Sequence, residues 1–433
     1  MMGLTKEFEE YAGMLSEALG HADRVGPFKD YCTGLMLSGE RKSVEPMAAR
    51  VSPTRVSSAH QSLHHFVADA DWSDEALTCR VREWVLPRMS KQEPIEAWIV
   101  DDTGYPKKGT HSVGVARQYC GQLGKQDNCQ VAVTLSVANE LASLPIAYRL
   151  YLPKDWAADA KRRAKAKVPK ELRFATKGAM ALAQIEQALA DRVPQGVVLA
   201  DAAYGTDSKF RQRLSELGLR YAVGVVSTTS VWPEGKGPMA PKPWSGKGRR
   251  TKLLRRDAKH KPVSVSALAG SLPQRLWRHV TWRAGTAGEL CSRFARVRVR
   301  PAHHDYWRAQ PWPEQWLLIE WPSGAPEPTK YWLSTLAEDT TLSELVRLAK
   351  LRWRIERDYQ ELKQELGLGD FEGRGWRGFH HHAALCIAAY GFLVARRAQS
   401  EARVKKNRRA WLKVPALPKN FCPRGSPESR PAS

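Results

Sequence analysis

The 433-residue sequence lacks an apolar run long enough to cross a bilayer, and its cysteines are few and scattered. The longest apolar run is AALCIAAYGFLVA at 383–395, whereas a membrane span needs about 20 apolar residues. The N-terminal stretch carries Glu7, Glu9 and Glu10 and has no apolar segment of the kind a secretory signal needs. Seven cysteines without Cys-x-x-Cys spacing predict reduced, mostly structural thiols. We therefore expect a cytoplasmic protein without a membrane partner.

Acidic residues are also in short supply, with 45 Asp and Glu against 68 Lys and Arg and a formal net charge of +23. Segments 154–174, 233–262 and 400–433 carry net charges of +5, +8 and +7, so the rest of the chain is close to neutral. Such an excess indicates a polyanionic partner, most commonly nucleic acid. A basic protein without a polyanionic partner remains the alternative. The hydrophobic fraction of 42% excludes a wholly disordered, collagen-like or coiled-coil chain.

Helical spacing marks both ends of the chain. Apolar residues recur at three- and four-residue steps from Leu4 to Leu19, as an amphipathic helix requires. Ser73 is a candidate N-cap for a further helix, which Pro87 is expected to end. Near the other end, the spacing predicts one long helix through 345–366 and another over about 381–399.

The middle of the chain alternates short apolar strands with helical segments. A helix is predicted over 175–193, and strands are predicted at 97–100, 130–138, 144–152, 197–200 and 221–226. This alternation indicates an α/β protein with a mixed sheet. Residues 205–340 depart from the pattern, because a Pro/Gly/Lys-rich stretch there precedes three further strands.

Five segments follow from these patterns. They are a helical unit at 1–92, the first part of an α/β core at 93–226, a basic β-rich insertion at 227–340, the C-terminal helices of the core at 341–399, and a basic, Pro-rich tail at 400–433 that is expected to be disordered.

Acidic residues follow two of the apolar strands, and a third lies on the late helix. Asp101 comes after AWIV and Asp201 after VVLA, although a single aspartate in such a place is most often a cap. Glu356 shares a helix face with Arg352 and Lys363. Three converging carboxylates can hold two divalent cations for phosphoryl transfer. The alternative for the helix is a solvated face with salt bridges.

The late helix resembles the Y-x2-R-x3-E-x6-K signature of DDE-class insertion-sequence transposases. Arg352, Glu356 and Lys363 match its R, E and K, while the Tyr position falls on Ala349. DDTGYPKKG and VVLADAAYG are similar to the first and second aspartate regions of the same family. The three motifs occur in the family's order, and the resemblance covers most of the chain up to about residue 395.

The resemblance implies an RNase-H-like catalytic core whose mixed sheet is followed by a β-rich insertion before the last catalytic helix. It implies a catalytic triad of Asp101, Asp201 and Glu356, which would also be the ligands of two Mg²⁺ ions, with Mn²⁺ as a substitute. Asp102 is the rival for the first position, since strand neighbours point to opposite faces and the sequence alone does not orient them.

The implied function is that of a bacterial insertion-sequence transposase in the cytoplasm, associated with the nucleoid. Its partner would be double-stranded DNA, both as terminal inverted repeats and as target, held by a homodimer on paired ends. The N-terminal unit at 1–92 would help to recognise the repeats. Two alternatives stay open: a DNA-binding regulator without chemistry, and a two-metal nuclease that stops at hydrolysis.

Several other residues are candidates for DNA contact. Arg352 and Lys363 would hold phosphates, whereas Lys107 and Lys108 either contact DNA or form an exposed turn. The three histidines at 380–382 are expected to begin a helix facing solvent or DNA, since three adjacent residues cannot all face one metal ion. Four tryptophans in the polar insertion are candidates for stacking on an unpaired base: Trp232, Trp244, Trp307 and Trp312.

Overall fold

The computed structural model describes residues 2–91, 93–285 and 288–411, and side chains at 6–91, 93–283 and 288–399. The helices are α1 Met2–Ser16, α2 Val25–Met36, α3 Val44–Val51, α4 Val56–Ala68, α5 Asp74–Ser90, α6 Lys154–Ala158, α7 Ala160–Lys165, α8 Lys177–Ala190, α9 Ala202–Gly205, α10 Ser208–Glu216, α11 Val265–Gly270, α12 Leu342–Lys350, α13 Trp353–Gln364 and α14 Trp376–Trp411. The strands are β1 Ala97–Pro106, β2 Ala116–Cys120, β3 Lys125–Ala138, β4 Ser143–Leu150, β5 Val197–Ala200, β6 Tyr221–Val225, β7 Ser230–Pro233, β8 Val263–Ser264, β9 Arg278–Gly285, β10 Gly288–Pro301, β11 Gln315–Trp321 and β12 Lys330–Ser334.

These strands form one mixed sheet in the order β2-β3-β1-β5-β6-β12-β11-β10-β7-β8, with β4 beside β3 and β9 beside β10. Strand β1 is antiparallel to β3 and parallel to β5, which in turn is parallel to β6. The predicted α/β architecture with a large mixed sheet is therefore confirmed. Short strands such as β5 are apolar along their whole length because all of their residues are buried.

The strands between 227 and 340 extend the same sheet. Strand β12 pairs antiparallel with β6, and β11 and β10 follow it outward. Without β12, strand β6 would present a row of unpaired backbone groups at an open edge. The β-rich segment therefore closes an edge of the sheet that also carries β1 and β5.

Strand β1 is longer than its apolar run predicts. It continues through Asp101 and Asp102 to Pro106, paired along its whole length with β3. The expectation that the strand stops at Asp101 is wrong, because pairing with the long β3 supplies backbone partners for the polar residues as well. Asp101 therefore lies inside a strand, with its neighbour on the opposite face.

The N-terminal helices pack against the last helix of the chain. The hydroxyl of Tyr11 donates to the main-chain oxygen of Ala388 over 2.8 Å. Ser73 caps α5 as predicted, since its Oγ accepts the N–H of Ala76 at 3.1 Å. Pro87, however, lies inside α5, which runs on to Ser90. A proline so close to a helix end removes one hydrogen bond but does not terminate the helix.

Helix α14 is a core helix. Its segment Trp376–Gln399 has the length and composition of a membrane span, but 94% of its most apolar window is buried inside the fold. The helix continues to Trp411, past the end near Gln399 that the spacing predicts, so the expectation of disorder is wrong for 400–411. The rest of the predicted tail, 412–433, lies outside the described residues.

The three histidines at the start of α14 are buried, so the expectation of a solvated or DNA-facing surface is wrong. The N–H of Leu150 donates to His380, and the Tyr31 hydroxyl hydrogen-bonds His382. The two ring nitrogens of His381 lie 3.1 and 2.9 Å from main-chain oxygens. Burial lowers the pKa of all three imidazoles to about 4. They are neutral packing residues near pH 7.

The predicted long helix near residue 350 is in fact two helices, α12 and α13, which meet at Leu351 and Arg352. Asp358 holds helix α13 in place. Its carboxylate accepts hydrogen bonds from Ser143 at 2.7 Å and from Tyr390 at 2.8 Å. Burial raises the pKa of Asp358 to about 6. The helix is thus attached both to β4 and to α14.

Asp358 should make the stability of the fold depend on pH. Its pKa is higher in the folded state (about 6) than the ordinary 3.8, so between pH 4 and 6 the folded protein binds more protons. The free energy of unfolding should therefore fall as pH rises through that window, by roughly 3 kcal/mol from this group. In Asp358→Asn this contribution should be missing from urea-unfolding curves measured at pH 4 to 7. Identical pH profiles for the two proteins would contradict it.

Candidate active site

Strand pairing brings the first two acids together on two adjacent interior strands of the sheet. The parallel register of β1 and β5 pairs Ile99 with Leu199, and two residues further on it brings Asp101 next to Asp201. The negative charge of Asp201 is one of the effects that raise the pKa of Asp101. Two carboxylates 100 positions apart in sequence thus interact through the alignment of two strands.

Asp201 lies where β5 ends and α9 begins. Its Oδ1 accepts the N–H of Ala203 at 2.9 Å, which caps the short helix. Helix α9 lies directly on β6, where a Cβ on Gly205 would collide with the carbonyl oxygen of Gly224. The Gly at the end of the DAAYG motif is therefore required by close backbone packing, and this packing sets the direction in which Asp201 leaves the strand.

Arg352 joins the first acid to the third. Its Nη1 donates to Oδ2 of Asp101 over 2.7 Å, and its Nη2 donates to Oε1 of Glu356 over 3.0 Å. The side chain of Asp101 is 15% exposed and that of Glu356 is 63% exposed. The guanidinium therefore bridges a buried carboxylate in the sheet and an exposed one at the rim, on the first turn of α13.

The carboxyl of Asp101 has a strongly perturbed pKa. Burial raises it to about 7, and the charges of Asp201 and Asp102 add to this effect. The charge of Arg352 acts in the opposite direction. A buried acid that titrates near neutrality beside charged partners is typical of functional sites.

Asp102 points to the other side of β1. It forms an ion pair with Lys177 at the start of α8, and the Lys177 ammonium lies 5.7 Å from the centre of the Tyr151 ring. Its carboxylate is thus engaged away from Arg352. Of the two candidates for the first acid, Asp101 is the one whose side chain contacts Arg352.

Lys363 lies two helical turns beyond Glu356. Its ammonium donates to the carbonyl of Gly104 at 2.8 Å and to Gln122 at 3.2 Å, and it lies 4.7 Å from the centre of the Tyr105 ring. Burial lowers its pKa to about 8. The cation therefore ties α13 to β1 and to the turn after β2, and its hydrogen-bond partners in the described part of the chain do not include the three acids.

The two lysines after β1 differ from each other. Lys107 donates to the carbonyl of Phe371 over 3.0 Å, and burial lowers its pKa. Lys108 is exposed. The candidate tryptophans differ as well: Trp244 and Trp307 are exposed, whereas Trp232 is buried and donates to Asp305 over 2.7 Å. Trp312 is half-buried.

The sequence reading missed two residues near the acids. Tyr204 is buried, and no described atom is a hydrogen-bond partner of its hydroxyl. Its pKa is raised by burial and by the charges of Asp102, Asp101 and Asp201. The Tyr-Gly pair that follows Asp201 in the sequence could have drawn attention to Tyr204. Lys177 had no signal, because its distance from Asp102 along the chain conceals their contact.

The acids suit a hard divalent cation by their chemistry, since carboxylate oxygens are the ligands that Mg²⁺ and Mn²⁺ prefer. In the described part of the chain, no three Asp, Glu, His or Cys side chains lie close enough together, as they stand, to hold a metal ion. Arg352 supplies the positive charge between Asp101 and Glu356.

Removing the Arg352 charge should raise the pKa of Asp101 above about 7, because that charge is the main effect opposing burial. The measurement is a ¹³C NMR titration of labelled aspartate carboxyls in Arg352→Met without divalent metal. Arg352→Lys keeps the charge and should give a smaller shift. An unchanged Asp101 midpoint in Arg352→Met would contradict this account.

Comparison with known proteins identifies the family to which the chain belongs. A model described as DDE superfamily endonuclease matches residues 14–289, which include Asp101 and Asp201, whereas Glu356 lies beyond the match. The chain is 27% identical over 369 residues to "Probable transposase for insertion sequence element IS701" of Microchaete diplosiphon, covering 84% of this chain and 81% of the relative. The NurA nuclease from Sulfolobus solfataricus aligns at a TM-score of 0.25 and 7% identity, over 78% of this chain and 93% of the nuclease, too slight a likeness to carry an argument. Because the family model spans more than half of its length, the chain belongs to the DDE superfamily endonucleases.

Proposed function

We propose that the protein is the DNA transposase of a bacterial insertion sequence, with Asp101, Asp201 and Glu356 as its catalytic acids. The observation that carries the proposal is the arrangement around Arg352. Its guanidinium contacts Asp101 and Glu356, while Asp101 and Asp201 interact across β1 and β5. The similarity to an insertion-sequence transposase over 84% of the chain supports the same function.

The topology supports an RNase-H-like core. Strands β4, β3 and β1 are consecutive antiparallel neighbours, and β5 and β6 continue the sheet parallel to β1. The first acid lies on the central β1 and the second directly after β5. The β-rich insertion then separates them from the helix that carries Glu356.

In the proposed site, the three carboxylates would hold two divalent cations, Mg²⁺ or in its place Mn²⁺. When bound, such ions make a water nucleophilic near neutral pH and stabilise the charge that develops on the phosphodiester. Arg352 would then exchange its carboxylate partners for a DNA phosphate, which suits the forked geometry of a guanidinium. Lys363 would hold a second phosphate from its place beside Gly104.

The proposed reaction has two steps at one site. Hydrolysis at the end of the element frees a 3′-hydroxyl, and that hydroxyl then attacks a phosphodiester of the target DNA. One phosphodiester is exchanged for another, so the joining step needs neither ATP nor a covalent protein–DNA intermediate. A homodimer would hold two ends, and the helices before residue 92 would recognise the terminal inverted repeats.

A basic cleft would offer a further surface for DNA. The cavity of about 650 Å³ lies between α7 and β2 and is lined by the exposed Arg117, Lys161 and Lys165. Its wall is held in place by Arg162, which donates to the carbonyl of Thr110 over 3.2 Å. We include these three cations and Lys108 among the DNA contacts. Lys107 would act by holding the loop to Phe371.

Replacing the second or third acid should abolish DNA cleavage without abolishing DNA binding. Asp201→Asn and Glu356→Gln, like Asp101→Asn, should cut end-containing DNA only at background levels with Mg²⁺ or Mn²⁺, because each removes a metal ligand. Asp102→Asn is the matched control on the same strand and should keep cleavage. Gel shifts with the element's ends test binding. Metal-dependent cutting by Asp201→Asn or Glu356→Gln would contradict the assignment.

A strand-transfer assay with precut ends separates the proposed function from its alternatives. Joined products support a transposase. Cut products without joining would indicate a nuclease, and a gel shift with neither product would indicate a regulator.

Removing charge from the cleft should flatten the salt dependence of DNA binding. In Lys161→Gln/Lys165→Gln the slope of log K against log salt should fall by about 1.8, since each phosphate contact contributes about 0.9. Arg192→Gln/Arg220→Gln is the matched control, because both arginines are exposed and precede β5 and β6, at the ends of these strands remote from Asp201. Fluorescence anisotropy from 50 to 300 mM salt gives both slopes. Equal losses in the two double variants would show that the cleft is not a special contact.

A further inference from the structure

Strand β9 of the insertion holds the chain on both sides of Arg352. Lys350 is the last residue of α12 and Trp353 the first residue of α13. Two neighbouring residues of β9 contact them: the Trp282 ring lies 4.4 Å from the Lys350 ammonium, and the Arg283 guanidinium lies 3.9 Å from the centre of the Trp353 ring. The junction between the two helices is therefore attached to the same strand at both of its ends.

The attachment at Lys350 is buried and charged. Its ammonium donates to both carboxylate oxygens of Glu320 on β11, at 2.7 and 2.6 Å, and Glu320 is only 4% exposed. The rings of Phe294 and Trp332 lie 5.5 Å from the same ammonium. Strands β9 to β12 thus each contribute one residue around the end of α12, so this end cannot move without leaving a charge buried and unpaired.

The junction itself contains few restraints of its own. Residues Leu351 and Arg352 lie between two helices, and the N–H groups of Arg354 and Ile355 bond carbonyls only three residues back, at 3.1 Å each. Arg352 makes no side-chain cap to α13. The direction of its guanidinium therefore depends on how α12 and α13 are held from outside.

We propose that Arg283 is a positioning residue for the transfer reaction: by holding Trp353, it fixes the first turn of α13, so that Arg352 and Glu356 are aligned with Asp101. This inference rests on the proposed function. It assigns to the insertion a role in the geometry of the active site, in addition to any contact that its basic segment makes with DNA.

The experiment compares three single substitutions. Arg283→Met removes the nearer of two cations over the Trp353 ring, at 3.9 Å from its centre, and leaves the Arg354 guanidinium at 5.1 Å. The substitution breaks no hydrogen bond of the Arg283 Nε, because this atom is buried and has no hydrogen-bond partner among the described atoms. Arg283→Lys keeps a cation there. Arg293→Met is the matched control, since the Arg293 guanidinium lies 4.2 Å from the Trp321 ring within the insertion, away from α13.

Two readouts are needed, and the first requires no DNA. Hydrogen exchange of the backbone over 351–356 should be about tenfold faster in Arg283→Met and unchanged in Arg293→Met. The second is single-turnover cleavage at saturating DNA, which should slow by about tenfold in Arg283→Met while the dissociation constant stays within about twofold. Arg283→Lys should recover most of both losses.

The outcomes separate this inference from the proposed function. Wild-type protein that does not cut DNA overturns the proposed function, and the inference with it. Wild-type protein that cuts, together with Arg283→Met at the wild-type rate or with unchanged exchange over 351–356, overturns only the inference. A loss that lies entirely in DNA affinity also overturns it, because Arg283 would then be a DNA contact. Equal effects of Arg283→Met and Arg293→Met would mean general destabilisation and would overturn it too.

Discussion

The parallel alignment of β1 with β5 is the constraint on which the rest of the site depends. Both strands are buried and apolar up to the point where the acids begin, so a shift of one residue would place a charge in the core and turn every side chain of the strand to the other face. The same alignment that fills the core therefore fixes Asp101 next to Asp201. Arg352 can then donate to the Asp101 carboxylate from the junction between α12 and α13.

The parts that the sequence predicted well are those with a local cause. Strands such as 197–200 read as apolar because both of their faces are covered, and the start of α5 was visible in Ser73. The three acids stood out by their positions, two after apolar strands and one on the late helix, and the family resemblance, which depends on spacing along the chain, gave them an expected role. The positions of these strands along the chain and the α/β class could therefore be predicted, whereas the order of the strands in the sheet could not.

The features that the sequence did not predict depend on contacts between residues that are distant along the chain. No local helix breaker marks the break at Leu351, and the insertion contacts Lys350 and Trp353, the residues that flank the junction. The histidines at 380–382 look exposed in sequence, because the residues that cover them, such as Tyr31, Trp72 and Leu150, are distant along the chain. Asp102 could be distinguished from Asp101 only once Lys177 had been located on a neighbouring helix.

The packing of α14 against the N-terminal helices has a consequence for the order in which the fold can form during synthesis. Helix α14 lies against α5, α2 and β4. The edge of β6 is covered only by β12, which lies more than a hundred residues later in the chain. Such long-range pairings form late, because loop closure must precede them. A chain still emerging from the ribosome would therefore contain Asp101 and Asp201 before it contains α13, which carries Glu356, and α14. The proposed transposase would thus gain the ability to cut DNA only after α14 has been synthesised.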